Sequence, residues 1–339
     1  MDKKQIPLVS VWMITFNHEK YISTAIDSIL EQKVEFQYEI IIGDDFSSDN
    51  TREILLEYKK NHPRIIKLLF HKANIGMIAN QNHTFNLCRG KYIAMLEGDD
   101  YWCNPQKLQK QVNAMEKNLS CDICFHPVKT TDGRILTKYS RKLEIFPVTD
   151  SIKAGGYYCS TPSIMLRSHA IREMPLFLND APAGDYYIQV LASKRGGSLY
   201  IPDIMATYRI NSEGSWSQTV SDIDNKINFL EKTLQKIIEI DRYLDYKYTN
   251  AFQYRYQRAS VSLATTYLKY GKEKKFKQTI EYASEYVKNQ KIRFLIVYNL
   301  RNHPKILISL TDLHKLYLKS KLICNLAFAR IKNLAQTLS

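Results

Sequence analysis

Two kinds of segment alternate through the first 125 residues, and two of the strand-like ones end in adjacent aspartates. Leu8–Phe16 is apolar and rich in β-formers, as a buried strand would be. Glu39–Ile42 runs into Gly43-Asp44-Asp45, and Lys91–Leu96 into Glu97-Gly98-Asp99-Asp100. Ile65–Phe70 and Cys121–Phe125 are further apolar strands. Between them, residues 21–30, 51–60, 78–87 and 107–115 carry apolar side chains at helical spacing, such as Ile22, Ile26, Ile29 and Leu30. Asn50, three residues before Glu53, predicts a capping box on the second helix. Parallel strands need a long crossover, so this βαβα order predicts a mainly parallel sheet covered by helices. Ligands of such sheets collect beyond the carboxyl ends of the strands, where both acidic pairs fall.

Beyond residue 128 the pattern loosens. Short strands are predicted at Ser163–Leu166, Gly197–Ile201 and Met205–Arg209, and a helix from Gly184 through Ala192. From Asp222 the chain reads as helices, with breaks near Asn250, Gly271, Asn289 and Pro304. Charge divides at the same place: residues 1–221 carry a net +2 and residues 222–339 a net +12 of the total +14. The rear also holds 11 of the 23 tyrosines. We therefore expect an α/β sheet domain over 1–221 and a basic all-helical region over 222–339. An anionic surface is a natural partner for the rear, and a solvated lysine-rich face is the plainer reading.

Several function classes are disfavoured. A P-loop, a glycine-rich dinucleotide fingerprint after the first strand and a Gly-x-Ser-x-Gly elbow are all missing. Six cysteines at irregular spacing do not make a disulfide framework, and Cys121-x-x-Cys124 without a second pair reads as core rather than zinc. Apolar runs are too short for a membrane span and no leader pattern is visible, so a reduced, cytoplasmic protein is expected. The chemistry then rests on the acids. Adjacent carboxylates repel, and a cation or a set of donors is the usual stabiliser; oxygen ligands suit Mg²⁺ or Mn²⁺. The plainer reading is a solvated acidic turn at Asp99-Asp100, and a helix N-cap at Asp44-Asp45.

One ordered set of motifs is more specific than any of its parts. Val9-Ser10-Val11 through Thr15-Phe16-Asn17, Asp44-Asp45-Phe46-Ser47-Ser48-Asp49, Asn74-Ile75-Gly76 and Glu97-Gly98-Asp99-Asp100-Tyr101-Trp102 together resemble family 2 glycosyltransferases of the GT-A fold. The resemblance is strongest over 7–120 and extends loosely to Trp216. It implies a Rossmann-like nucleotide-sugar domain and inverting transfer. Thr15, Asn17 and Asn74 would line the nucleotide pocket, and Asp45 would accept from a uracil-type base. Asp99 would face the ribose and sugar, and Asp100 would ligate Mn²⁺ or Mg²⁺ through the donor diphosphate. Asp185 matches the place of the catalytic base; the plainer reading is a cap of the helix it begins. Residues 207–217, with Arg209 and Trp216, resemble the loop that closes over the donor. Many relatives have a His where this chain has Asn211, which puts a second metal ligand there in doubt. Cys159–Ser163 resembles the acceptor-side stretch.

The resemblance thus implies a metal-assisted hexosyl- or N-acetylhexosaminyl-transferase, moving a sugar from a nucleotide-diphosphate donor, UDP-linked by expectation, to a glycan or lipid-linked acceptor in polysaccharide biosynthesis. A non-catalytic carbohydrate- or lipid-binding scaffold of the same fold is the alternative from another class. A sugar-nucleotide nucleotidyltransferase would want a basic glycine-rich phosphate loop, which Thr15–Lys20 is not. A peripheral position on the inner face of an anionic membrane is expected for the basic rear, and no nucleic-acid motif is present.

Overall fold

A computed structural model describes residues 6–137, 139–172, 175–210, 212 and 222–308. Twelve strands among them, β1 (Val9–Thr15), β2 (Tyr38–Asp44), β3 (Ile66–Phe70), β4 (Tyr92–Met95), β5 (Tyr101–Trp102), β6 (Ile123–Phe125), β7 (Val128–Thr130), β8 (Ile135–Leu136), β9 (Glu144–Phe146), β10 (Met165–Arg167), β11 (Ser198–Tyr200) and β12 (Ala206–Tyr208), form two sheets. The larger has the order β3-β2-β1-β4-β10-β6-β11-β9. Its β3-β2-β1-β4 half is parallel throughout, β10 is antiparallel to both neighbours, β11 is parallel to β6, and β9 closes the edge antiparallel. The smaller sheet has the order β5-β12-β7-β8.

The strand residues explain why both faces are covered. Every residue of β1 is buried, so its alternation is between two cores rather than between core and water. Val9, Val11 and Met13 join one cluster; Trp12 and Ile14 join the other. Ile40 and Ile42 against Ile41, and Tyr92 and Ala94 against Ile93 and Met95, divide the same way. The first core takes α1 (Ile22–Leu30), α2 (Thr51–Asn61) and, after α3 (Met77–Leu87), α4 (Lys107–Lys117). Following α5 (Val148–Ala154) and α6 (His169–Arg172) comes α7 (Gly184–Ser193), and the second core takes α3 and α7 through Phe85, Ile188 and Ala192. The α/β class expected from the sequence holds, including the mostly parallel sheet.

Local differences have identifiable causes. The capping box on α2 does not form: Asn50 makes no side-chain cap bond, because Glu19 takes both its backbone N–H and its Nδ2. Asp49 accepts from the Thr51 N–H instead. Cys121 and Cys124 are buried in the first core, as the core reading required.

Helices Ile223–Tyr243, Thr249–Lys269, Glu273–Tyr286 and Ile292–Asn299 follow, with breaks close to those expected. The chain divides into compact units of 1–255 and 256–339, so the Ile223–Tyr243 helix falls within the first. No helix among the described residues is long and apolar enough to cross a membrane.

Candidate active site

Parallel β1, β2 and β4 finish at one edge, and register places Thr15 level with Asp44. The Asp45 N–H donates to the Thr15 carbonyl, and the Gly98 N–H to that of Ile14, so both acidic turns stay close to β1 as they leave the sheet. Gly98 is required there: a Cβ would stand 2.8 Å from Thr15 Oγ1 and 2.9 Å from His18 Nδ1. Thr15 is buried, its hydroxyl without a partner among the described residues.

The nucleotide-side candidates form one connected edge. Asn17, held at φ 55°, accepts the Ser48 N–H through Oδ1 at 2.8 Å and donates its own N–H to Ser47 Oγ. Asp45 accepts backbone N–H groups with both oxygens, from Ile75 at 2.8 Å and Gly76 at 2.9 Å. Asn74 Oδ1 accepts from Gly76 as well. Asp45 and Asn74 therefore hold together the turn that opens α3. Asp44, fully buried, pairs with Arg52, whose guanidinium lies over the Phe46 and Phe70 rings at 5.1 and 5.0 Å.

At the end of β4, Glu97, Asp99 and Asp100 bring one carboxylate oxygen each within 4.8 Å of the others. Burial, then the neighbouring charges of Asp99 and Asp185, push Glu97 up to about 8. Asp100 lies well above the usual carboxylate range, through burial first and then Asp99 and Glu97, with Arg209 offsetting in part. Its Oδ1 accepts the Arg209 N–H at 2.7 Å, while Oδ2 is buried without a partner among the described residues. Arg209 Nη1 donates to the Asp99 carbonyl at 3.1 Å, and its guanidinium lies against the rings of Tyr21 and Tyr101. Ser212 donates to Asp99 Oδ2 at 2.5 Å. Three mutually repelling carboxylates and an orphaned buried oxygen are a donor set that fits a hard divalent cation.

Asp185 lies in the first turn of α7, two residues past the cap position, which Ala183 holds. The helix N-terminus favours a carboxylate, and Oδ1 accepts the Tyr186 N–H at 2.8 Å. Burial nevertheless raises Asp185 to about 6. Its charge reaches Glu97, so it is electrostatically coupled to the acidic trio. The loop before it is tied down by Lys236 of the Ile223–Tyr243 helix. This lysine is 4% exposed, donates to the Phe177 carbonyl at 2.7 Å and pairs with Asp180 and Glu239. The Cys159–Ser163 stretch is braced by Gln189 Nε2 on the Cys159 carbonyl, Trp102 Nε1 on Pro162 and Gln111 Nε2 on Ser163.

Glu97 and Ser212 were not assigned roles from the sequence. Glu97 was in view two residues before Asp99, but only the turn geometry shows its carboxylate joining the pair. Trp216 and Asn211 lie outside the described residues.

Comparison with known proteins bears on the family and the fold. The pattern of Glycosyl transferase family 2 matches residues 10–174. An uncharacterized glycosyltransferase of Methanocaldococcus jannaschii is 31% identical over 221 residues, which cover 64% of this chain and 74% of that one. The chain belongs to glycosyltransferase family 2. An uncharacterized protein of Mycobacterium tuberculosis is 33% identical over 226 residues, 63% of this chain; the match spans 62% of that relative's length. S. aureus TarS 1-349, solved in complex with UDP-GlcNAc, superposes with a TM-score of 0.58 at 15% identity, covering 86% of this chain and 90% of that one. The mannosyltransferase PcManGT of Pyrobaculum calidifontis, solved with GDP-Man and Mn²⁺, gives 0.51 at 14%, covering 88% and 87%. At such identities these two establish the fold, which is the GT-A fold expected. The family 2 pattern ends before Asp185 and Arg209, so those two rest on the structure alone.

Proposed function

We propose that this protein transfers a sugar from a nucleotide-diphosphate donor to an acceptor hydroxyl with inversion, assisted by a divalent cation. The observation that carries this reading is Asp100 Oδ2, buried and without a partner among the described residues, beside two further carboxylates at the edge where ligands of parallel sheets bind. Glu97, Asp99 and Asp100 would hold Mn²⁺ or Mg²⁺. Such an ion, when bound, neutralises charge developing on the leaving diphosphate.

The chain's own residues supply the rest. Thr15, Asn17, Asp45 and Asn74 line the nucleotide edge, with the 74–76 turn preorganised by Asp45. Arg209 fixes Asp100 through its N–H and places a cation between two tyrosine rings above the acids. Asp185 takes the proton of the acceptor hydroxyl; lifted to about 6, it is ionised at neutral pH and still basic enough to accept. UDP-sugars are the proposed donors, and a polysaccharide or lipid-linked glycan the acceptor. Titrating UDP, UDP-GlcNAc and GDP-Man into the protein with and without Mn²⁺ tests the reading. Metal-dependent binding and slow release of free sugar support it; no binding of any nucleotide overturns it.

Membrane proximity is part of the proposal. On the Ile292–Asn299 helix, Ile292 and Ile296 are exposed at 76% and 45%, four residues apart on one face. Lys288, Lys291 and Arg293 beside them are exposed too. Apolar side chains ringed by cations suit an anionic lipid surface.

A further inference from the structure

We infer that Gly156 is a specificity-determining residue: the room left by its missing side chain, in front of Asp185, is where the acceptor's hydroxyl-bearing ring enters. The inference rests on Asp185 as the base and names what shapes access to it.

The adjacent glycines of this turn do different jobs. Gly155, which ends α5, needs to be glycine twice over. Its φ is +68°, and a Cβ there would lie 2.7 Å from Arg255 Cζ and Nε. Gly156 has neither constraint. Its φ lies outside the left-handed region, its backbone is exposed, and among the described residues beyond its chain neighbours a Cβ would meet one atom within 4 Å, Asp185 Oδ2 at 3.9 Å. Neither strain nor packing asks for glycine; what glycine preserves is open space before the carboxylate oxygen not bonded to Tyr186.

The walls of that space are fixed. The Tyr186 hydroxyl donates to the Ile152 carbonyl, tying α7 to α5, and the Tyr158 N–H donates to the Gly155 carbonyl, closing the turn. Gln189, also on α7, holds the Cys159 carbonyl at 3.0 Å. A side chain at 156 could not be accommodated by moving Asp185 aside, so it would compete with a sugar ring. Water, the smallest acceptor, would still reach Oδ2. Residue 156 therefore discriminates between transfer and donor hydrolysis.

Gly156→Ala, Gly156→Val and Gly156→Leu test this in the full chain. The donor is the nucleotide sugar that the protein hydrolyses fastest, and p-nitrophenyl glycosides serve as acceptor probes. Transfer should fall in order of side-chain size, by about 10-fold or more for leucine, through the acceptor KM. Donor affinity, donor hydrolysis and melting temperature should stay near wild type, because the backbone at 156 accepts any L residue. Undiminished transfer by Gly156→Leu overturns the proposal. So does loss of hydrolysis or donor binding in parallel with transfer, which would make residue 156 a donor-side or structural element. A wild-type protein that binds no nucleotide sugar instead sinks the transferase reading on which the inference stands.

Discussion

The backbone N–H of Arg209 donates to Asp100 Oδ1 across 109 residues of chain, and the other oxygen of that carboxylate is buried with no partner among the described residues. One lone pair set is thus used to fix the side chain, and the other is presented to the site. Asp45, by contrast, has both oxygens engaged, by the Ile75 and Gly76 N–H groups.

Asp100→Asn should abolish Mn²⁺-dependent nucleotide binding and transfer without unfolding the protein. The amide oxygen can still accept from Arg209, and repulsion with Asp99 and Glu97 is relieved. Calorimetric titration of UDP with Mn²⁺ checks it; wild-type affinity and metal requirement would remove Asp100 from the site.

Glu97→Gln should weaken Mn²⁺ binding by about 10-fold or more, the scale typical of disturbing groups around a metal. Melting temperature without metal should rise or hold, since a buried carboxylate is replaced by a neutral isostere. Titration of Mn²⁺ into the nucleotide-bound protein reads the effect.

Asp185→Asn should lower kcat by about 10²–10⁴-fold with donor affinity intact. Activity of the wild type should rise with pH through about 6, where Asp185 ionises, and the variant should lose that limb. Stability moves the opposite way. A folded-state value raised above the unfolded one favours the protonated form, so stability is lost as pH climbs through about 6. The Asn variant should be more stable above that pH, on the order of 1–3 kcal/mol, and equal near pH 4. Denaturant melts at pH 4 and pH 8 measure the difference.

Glu39→Leu addresses the fold rather than the site. Glu39 is 2% exposed on β2 and accepts from Ser10, Lys67 and Arg89. Burial pushes its carboxyl up, but these donors outweigh it and hold the group below its usual range. Its contribution is therefore present above the ordinary carboxylate range and lost as pH falls through the lowered folded value. At neutral pH the variant should lose about 1–3 kcal/mol, with the Ser10 hydroxyl and the exposed cations rehydrating only in part. The deficit should shrink in acid.

Liposome sedimentation tests the basic rear. Binding should rise with anionic lipid, fall with salt and vanish on deleting residues 290–339, each held cation contributing about 1 kcal/mol at low salt. A folded protein that ignores anionic vesicles would leave Ile292 and Ile296 to some other role.

The parallel half of the sheet was legible in the sequence because β1, β2 and β4 are buried on both faces, which writes continuous apolar runs into the chain. Of the second sheet only β12 was, as the strand expected over Met205–Arg209. Tyr101–Trp102 is a strand only because Ala206 and Thr207 pair with it from far along the chain, and two residues carry no period. Likewise, nothing local says that β10 inserts antiparallel between β4 and β6. In the site, Asp99-Asp100 could be read from position alone. Their setting could not, since Arg209 and Ser212 reach them from over a hundred residues away. The capping box failed for the same reason: Glu19, 31 residues distant, claimed the Asn50 amide.

The Lys236 contacts bear on how this protein could be recombined with its relatives. The family 2 pattern ends at 174, which makes that point an inviting junction for chimeras that exchange acceptor halves. The loop that follows is fastened at Phe177 and Asp180 by an ammonium group on the Ile223–Tyr243 helix. Loop, Asp185 and helix would have to travel together, as one block from 175 to 243. A crossover inside that block would strand a buried cation without its partners, at a cost of several kcal/mol, and free the segment that carries the base.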